Sequence, residues 1–254
     1  MQNMKIALIT GASSGMGRQA ACYLAEYVKK LDEIWLIARR KEEMEKLKEQ
    51  YTDVTFRIFA IDLLKEEEAD ELILALNVTK PDIKFLVNAS GFGKIGSFSE
   101  VPEHSNTNMV RLNCEALTRI TYLALPYMSN NSYILQFASS AAFLPQPGFS
   151  VYAATKSYVL SLSRALNQEL KSRNIQVTAV CPGPVKTEFF DIAQEKAEIK
   201  LYKKLFMANP EKVVIKAFQD AKKKKTVSVY GISMKAFRLL CKIIPHKFII
   251  QFIK

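Results

Sequence analysis

Thr10-Gly11-Ala12-Ser13-Ser14-Gly15-Met16-Gly17 is the stretch on which the fold turns. An apolar run, KIALIT at 5–10, leads straight into it, and a helical stretch over about 16–30 follows. Three glycines in this window allow a tight turn, close backbone approach to a pyrophosphate, and close packing of helix on sheet. The N–H groups at the start of the helix favour an anion. A glycine-rich turn also joins strands to helices with no ligand at all. The strand before it, the helix after it and its place at the chain's beginning favour dinucleotide binding over the bare turn.

Outward from this loop, short β-branched and aromatic runs alternate with longer amphipathic stretches. Strands are expected at about 33–38, 54–60, 84–89, 132–138, 175–181 and 226–230, most of them apolar throughout, as parallel strands buried on both faces are. Helices are expected at roughly 40–51, 65–77, 103–128, 152–173 and 210–224. This rhythm, unbroken by a linker, predicts a single α/β domain, doubly wound and Rossmann-like, with a seven-stranded parallel sheet over residues 1–231. Two segments fall outside it. Residues 183–209 form a long insertion suited to a substrate lid, and residues 232–254 form a basic, apolar C-terminal extension.

The glycine spacing is TGxxxGxG, and with it the chain resembles the short-chain dehydrogenase/reductase family over residues 5 to about 230. Four further landmarks follow in family order: Asn88-Ala89-Ser90-Gly91, Asn113, Ser139 with Tyr152-x-x-x-Lys156, and Pro182-Gly183. The first departs from the usual NNAG at Ala89 and Ser90, in a stretch that mainly braces the central strand and approaches the cofactor. The resemblance implies a nicotinamide dinucleotide lying on Gly11, Ser13, Ser14, Gly15, Met16 and Gly17. Asp62 and Leu63 would face the adenine, Asn88, Ala89 and Gly91 the middle of the cofactor, and Pro182, Gly183, Val185 and Thr187 the nicotinamide. For Asp62 a helix-capping role before Lys65-Glu66-Glu67-Glu68 is an equal alternative. A rigid turn accounts for Pro182–Pro184 but gives no reason for Thr187.

The end of the second strand bears on which dinucleotide. An acid there accepts hydrogen bonds from the ribose 2′-OH and repels a 2′-phosphate; this chain has Ala38, followed by Arg39-Arg40. A guanidinium pairs with phosphate in bidentate fashion. Arg39 is therefore read as a ligand for NADP(H), whereas Arg40 and Lys41 read as the start of a solvated helix.

Tyr152 and Lys156, four apart, share one helical face. A tyrosine pKa near ~10 is too high for ready exchange at neutral pH, and a neighbouring ammonium is expected to lower it towards the general acid/base range. Such a pair alone is an ordinary helix face; placed 13 residues after Ser139 it becomes specific. The resemblance implies that Tyr152 gives its proton to a substrate oxygen held by Ser139. Lys156 would bind the nicotinamide ribose and Asn113 would support a water chain. Gly91-Phe92-Gly93 with Phe143, Leu144 and Phe149 is expected on the substrate side, which suggests a hydrophobic ketone, aldehyde or alcohol. A nucleotide-binding sensor or scaffold without turnover is the rival, and it has no need of this proton relay. Family habit implies a homodimer or homotetramer through the 103–128 and 152–173 helices.

The chain has 254 residues and a formal net charge of +11. Residues 1–199 hold 22 Lys/Arg against 23 Asp/Glu, whereas residues 200–254 hold 14 against 2. The basic excess thus belongs to the end of the chain. Four scattered cysteines form neither a zinc motif nor a disulfide framework and fit a reducing compartment. With only His104 and His246, no metal is expected. The N-terminus lacks a signal-peptide layout and no run approaches the ~20 apolar residues of a spanning helix, so a cytoplasmic protein is the simplest expectation. In the extension, Lys235, Arg238 and Lys242 fall on one helical face and Phe237, Leu240 and Ile244 on another. Three readings compete: folding over the body, lying on an anionic membrane surface helped by Lys222–Lys225, or binding nucleic acid, for which no base-reading module is present.

Overall fold

Alternate residues of the first strand enter two different apolar layers, which explains why the run is apolar throughout. In β1 (Lys5–Thr10), Ala7 and Ile9 join one buried cluster and Ile6 and Leu8 the other. The structure, a computed structural model, describes residues 3–189, 193 and 207–251. β2 (Glu33–Ala38), β3 (Phe56–Ala60), β4 (Asp82–Asn88), β5 (Tyr133–Phe137), β6 (Gln176–Val180) and β7 (Val227–Ser228) complete one sheet. Its order is β3-β2-β1-β4-β5-β6-β7, and every pairing is parallel. The chain is thus a single α/β Rossmann-like domain with seven parallel strands.

One face is covered by α1 (Gly15–Tyr27), α2 (Lys41–Gln50) and α7 (Pro210–Lys222), where Tyr23 stacks on Phe218 at 4.3 Å. On the other lie α3 (Asp70–Thr79), α4 (Glu103–Val110), α5 (Leu117–Ala124) and α6 (Ser150–Glu169). The strand order reverses between β1 and β4, and in open sheets of this kind ligands bind beyond the carboxyl ends at that point. There the Thr10 hydroxyl accepts from the N–H groups of Ala89 and Ser90, both at 3.2 Å, tying the two strand ends together.

The elements differ from the sequence expectation in a few places. The helix expected over 103–128 is interrupted by a wide π turn at Arg111–Ala116, and Pro126 lies in the short 3-10 turn Leu125–Tyr127 that follows α5. The strand expected at 226–230 shortens to two residues at the sheet edge. The expected lid falls largely on residues 190–192 and 194–206, outside the described residues. At its base Val185 bridges Ala208, with Lys186 N–H donating to the Ala208 carbonyl at 3.0 Å.

The C-terminal extension forms α8 (Ile232–Ile243) and α9 (His246–Ile250). Met234, Phe237 and Cys241 turn inward, and with Ile249 and Ile250 they pack on a cluster containing Phe143, Leu144, Val159 and Cys181. Of the expected apolar face, Phe237 packs inward whereas Leu240 and Ile244, further along the helix, are exposed. Phe143 and Leu144, expected on the substrate side, are buried beneath these helices instead.

Candidate active site

The carboxyl ends of the central strands open onto a cleft of about 520 Å³. Gly11 turns the chain at φ +69°, and a Cβ there would meet the Ala89 carbonyl carbon at 2.8 Å. Gly17 sits one helical turn on, where a Cβ would lie 2.2 Å from the Gly11 carbonyl oxygen. Gly17 is therefore what lets α1 press against the loop, and it does not line the cleft as Gly11, Ser13, Ser14, Gly15 and Met16 do. Ser14 caps α1 without a side-chain hydrogen bond, and the first turn carries no acid. The N–H groups there, with the helix dipole behind them, suit a pyrophosphate, so these residues fit a dinucleotide.

At the adenosine end, Ala38 closes β2 and Arg39 stands exposed on the cleft wall. Arg40, expected merely to begin a solvated helix, also lines the cleft and pairs with Glu188 at 2.8 Å. That pair clasps the two sides of the opening, although each partner is half exposed and such pairs contribute only about 0–1 kcal/mol. Asp62 and Leu63 line the cleft, and the Asp62 carboxylate accepts the Leu64 N–H at 3.1 Å, shaping its own turn.

Beyond β4, Ala89, Ser90 and Gly91 form the middle of the wall. Asn88 lies behind it, buried between strands and helix. Its amide donates to Thr121 Oγ1 and Gln136 Oε1, both at 3.0 Å, and Gln136 Nε2 donates to the same Thr121 oxygen. Asn88 Oδ1 is buried without a hydrogen bond among the described residues. Its position suits bracing rather than cofactor contact.

Tyr152 and Lys156 both reach the cleft from the first turns of α6. The ammonium lies 5.7 Å from the centre of the Tyr152 ring and donates to the Phe137 carbonyl at 2.7 Å. Ser139 ends β5's continuation and caps the short turn Ser140–Phe143, its hydroxyl accepting from Ala141 N–H at 3.1 Å. Burial pushes the phenol up to about 12, and the neighbouring Ser139 hydroxyl pulls it partly back. Burial also lowers Lys156, to about 8. The expectation that the ammonium would bring Tyr152 down is thus corrected: desolvation dominates because both groups are enclosed. At neutral pH the phenol is a held proton donor rather than a phenolate.

Asn113 lies on the π turn, fully buried. Its amide donates to the Phe92 carbonyl at 2.9 Å and to Thr155 Oγ1 at 3.1 Å, while its own oxygen accepts Phe92 N–H at 3.0 Å. Both amide hydrogens and one lone pair of its oxygen are engaged with protein, so in this structure it holds the Gly91–Phe92 loop against α6. Thr187 lines the cleft opposite Gly15, and Pro182, Gly183 and Val185 form the support behind it, Pro182 accepting Ser140 N–H at 2.7 Å.

An aromatic enclosure surrounds the phenol. Phe149 stacks on Tyr152 at 4.2 Å, Phe189 tilts against it at 5.3 Å, and Phe92 and Met109 complete the same cluster. The sequence carries no sign of Phe189's place in the site, and it gives Arg40 only as the start of a solvated helix. Phe189 lies in the insertion, and the partner of Arg40 is 148 residues away, so no local pattern marks either. Among the described residues no group of three or more His, Cys, Asp or Glu could hold a metal, and no helix is long and apolar enough to cross a membrane.

The model of the short chain dehydrogenase family matches residues 5–198. An uncharacterized oxidoreductase of Bacillus subtilis, YvrD, is 32% identical over 187 residues, covering 72% of this chain and 70% of that protein. Among solved structures, a short-chain dehydrogenase from Sphingobium yanoikuyae in complex with NADPH is 26% identical. The match covers 95% of this chain and 96% of that one, at a TM-score of 0.77. The bulky-bulky ketone specific alcohol dehydrogenase from Comamonas testosteroni is also 26% identical, with 96% of each chain covered and a TM-score of 0.73.

Proposed function

Since the chain belongs to the short-chain dehydrogenase/reductase family, oxidoreductases that work between CH–OH and C=O with a nicotinamide cofactor, we propose that it interconverts a hydrophobic ketone or aldehyde and its alcohol with NADP(H). The observation that carries this reading is the enclosure of Tyr152: a protonated phenol, set beside Ser139 and Lys156 and walled by Phe149, Phe189 and Phe92. When bound, the dinucleotide supplies or accepts the hydride. The chain's own residues do the rest. Tyr152 holds a proton at its phenolic oxygen, where a new alkoxide needs it, and Ser139 orients the substrate oxygen towards that proton. Lys156 keeps a positive charge close to the ring and supplies donors for ribose hydroxyls. The aromatic walls keep water from the reacting carbon and favour an apolar substrate. The Comamonas relative, specific for bulky-bulky ketones, supports a roomy apolar site.

The preference for NADP(H) rests on Ala38 in place of an acid and on Arg39 beside it, and the NADPH held by the Sphingobium relative supports it. Charge-assisted hydrogen bonds contribute roughly 1.5–3 kcal/mol. Arg39→Glu is therefore expected to raise KM for NADPH by about 10–100-fold while leaving NADH little changed. Steady-state kinetics with both cofactors checks this; an unaltered ratio removes the assignment.

The pH dependence follows from the two shifted groups. Tyr152 stays protonated through neutrality, and Lys156 keeps its charge only below about 8. Carbonyl reduction, followed as kcat/KM, is expected to be level at neutral pH and to fall as pH rises through about 8. Alcohol oxidation, which needs the phenolate, is expected to depend instead on the Tyr152 phenol and to favour alkaline pH, towards about 12. A reduction rate that climbs above about 8 contradicts these roles. A homodimer or homotetramer through α4, α5 and α6 and a cytoplasmic location are part of the same proposal; sedimentation equilibrium tests the first and cell fractionation the second.

A further inference from the structure

The outer face of α8 is as apolar as its inner one. At 100° per residue, Met234, Phe237 and Cys241 point into the protein, and Ile232, Ala236, Leu239 and Ile243 form a stripe on the opposite side. Ile232 is 86% exposed, Leu239 58% and Ile243 70%; Phe248 on α9 is 51% exposed, and Leu240 and Ile244 lie nearby. Lys235 and Lys242 flank this stripe on one side, and Lys247 stands next to Phe248 with its ammonium 4.9 Å from the ring centre. From Ala221 to the end the chain holds nine Lys/Arg and no acid. An exposed apolar stripe rimmed by cations with no carboxylate in reach of its own segment is the composition of a helix that lies in the interface of a bilayer.

We propose that α8 and α9 seat this protein on an anionic lipid surface, with Ile232, Leu239, Ile243 and Phe248 entering the headgroup boundary and Lys235, Lys242 and Lys247 meeting lipid phosphates. Charge selects this occupant over a second copy of the chain. A two-fold contact brings the same patch of each copy together, which would oppose lysine rims that have no acid to pair with. Nucleic acid matches the cations but offers nothing to the apolar stripe. The run Lys222–Lys225 takes no part. It precedes β7 at the far end of the sheet, where Lys225 pairs with Asp220 and Lys224 reaches Asn174. Two of the three sequence readings of the tail are thereby reconciled, since the inner face folds over the body and the outer face is left for lipid.

The seat adjoins the catalytic end. Met234 packs against Gly183, and the Arg238 guanidinium lies 5.9 Å from the Phe143 ring, next to the turn that Ser139 caps. An apolar molecule leaving the bilayer would therefore have a short path to the aromatic enclosure. The surface itself does not depend on the reaction proposed above, and binding can be measured without turnover.

The experiment is co-sedimentation of the full chain with phosphatidylcholine vesicles, with and without phosphatidylglycerol, at physiological salt. The expected result is pelleting with phosphatidylglycerol-containing vesicles and not with phosphatidylcholine alone. Two variants, Ile232→Ser/Leu239→Ser/Ile243→Ser and Lys235→Glu/Lys242→Glu, should each lower the partition coefficient about tenfold or more. Because these side chains point outward, both variants should melt with the wild type. The proposal fails if the wild-type chain stays in the supernatant with both vesicles, or if both variants bind unchanged. It also fails if light scattering shows a dimer that the serine variant dissolves while vesicles bind neither protein.

Discussion

Tyr152→Phe is expected to bind NADPH as the wild type does and to lose about 10²–10⁴-fold in carbonyl reduction. The substitution removes one oxygen and nothing else. The ring keeps its stack with Phe149 at 4.2 Å and its contact with Phe189, so the enclosure survives. What disappears is the proton that meets the developing alkoxide. Its polar neighbours among the described residues replace it poorly: the Lys156 ammonium lies 5.7 Å from the ring centre and donates to the Phe137 carbonyl, and Ser139 is a far weaker acid than a phenol even when burial holds that phenol near 12. NADPH fluorescence titration and stopped-flow absorbance separate binding from chemistry. Substantial remaining turnover would mean that a different group donates the proton and would overturn the assignment of Tyr152.

Gly17→Ala should be nearly as damaging, through packing rather than chemistry. The added methyl would lie 2.2 Å from the Gly11 carbonyl oxygen and 2.6 Å from its carbon. Both are backbone atoms, so no side chain can swing aside. Either the turn shifts or α1 retreats, and α1 is held by Ala20, Ala21 and Leu24, each fully buried. Overpacking of this sort costs about 1–3 kcal/mol and occasionally more, a loss of several degrees in Tm for a chain of this size. The loop that moves is also the phosphate end of the cleft, so NADPH affinity should fall with stability. A variant that melts with the wild type and binds NADPH equally well would show that helix and turn are not packed as described.

How much of this could be read from sequence depends on the range of the interactions involved. The strands announced themselves because burial on both faces demands continuous apolar runs such as KIALIT and EIWLIA. The glycine loop and the Tyr152–Lys156 pair were legible because each is fixed within a few residues by helical or turn geometry. The π turn at Asn113 was not, since one extra residue in a helical turn leaves the apolar pattern almost unchanged. The sequence near Phe143 and Leu144 does not reveal that they lie away from the substrate side, because their cover, α8, comes from about 90 residues later in the chain. The direction of the Tyr152 shift was missed for a related reason. Spacing reveals the neighbouring ammonium, but only the folded enclosure reveals how completely both groups have lost water.

The buried trio of Asn88, Gln136 and Thr121 carries a last consequence, for how the sheet is assembled. Asn88 and Gln136 face each other directly across β4 and β5, in a run otherwise made of Phe85, Leu86 and Val87 against Tyr133, Ile134 and Leu135. Apolar side chains of similar size tolerate several alignments of such strands almost equally. The amides do not: slipping β5 by one residue turns Gln136 to the other face of the sheet, away from Thr121, and leaves polar groups buried without partners. The trio therefore works as a vernier mark, forfeiting some oily contact so that only one alignment closes. That alignment is the one that brings the ends of β4 and β5, and with them Gly91 and Ser139, to the same level beneath the phenol.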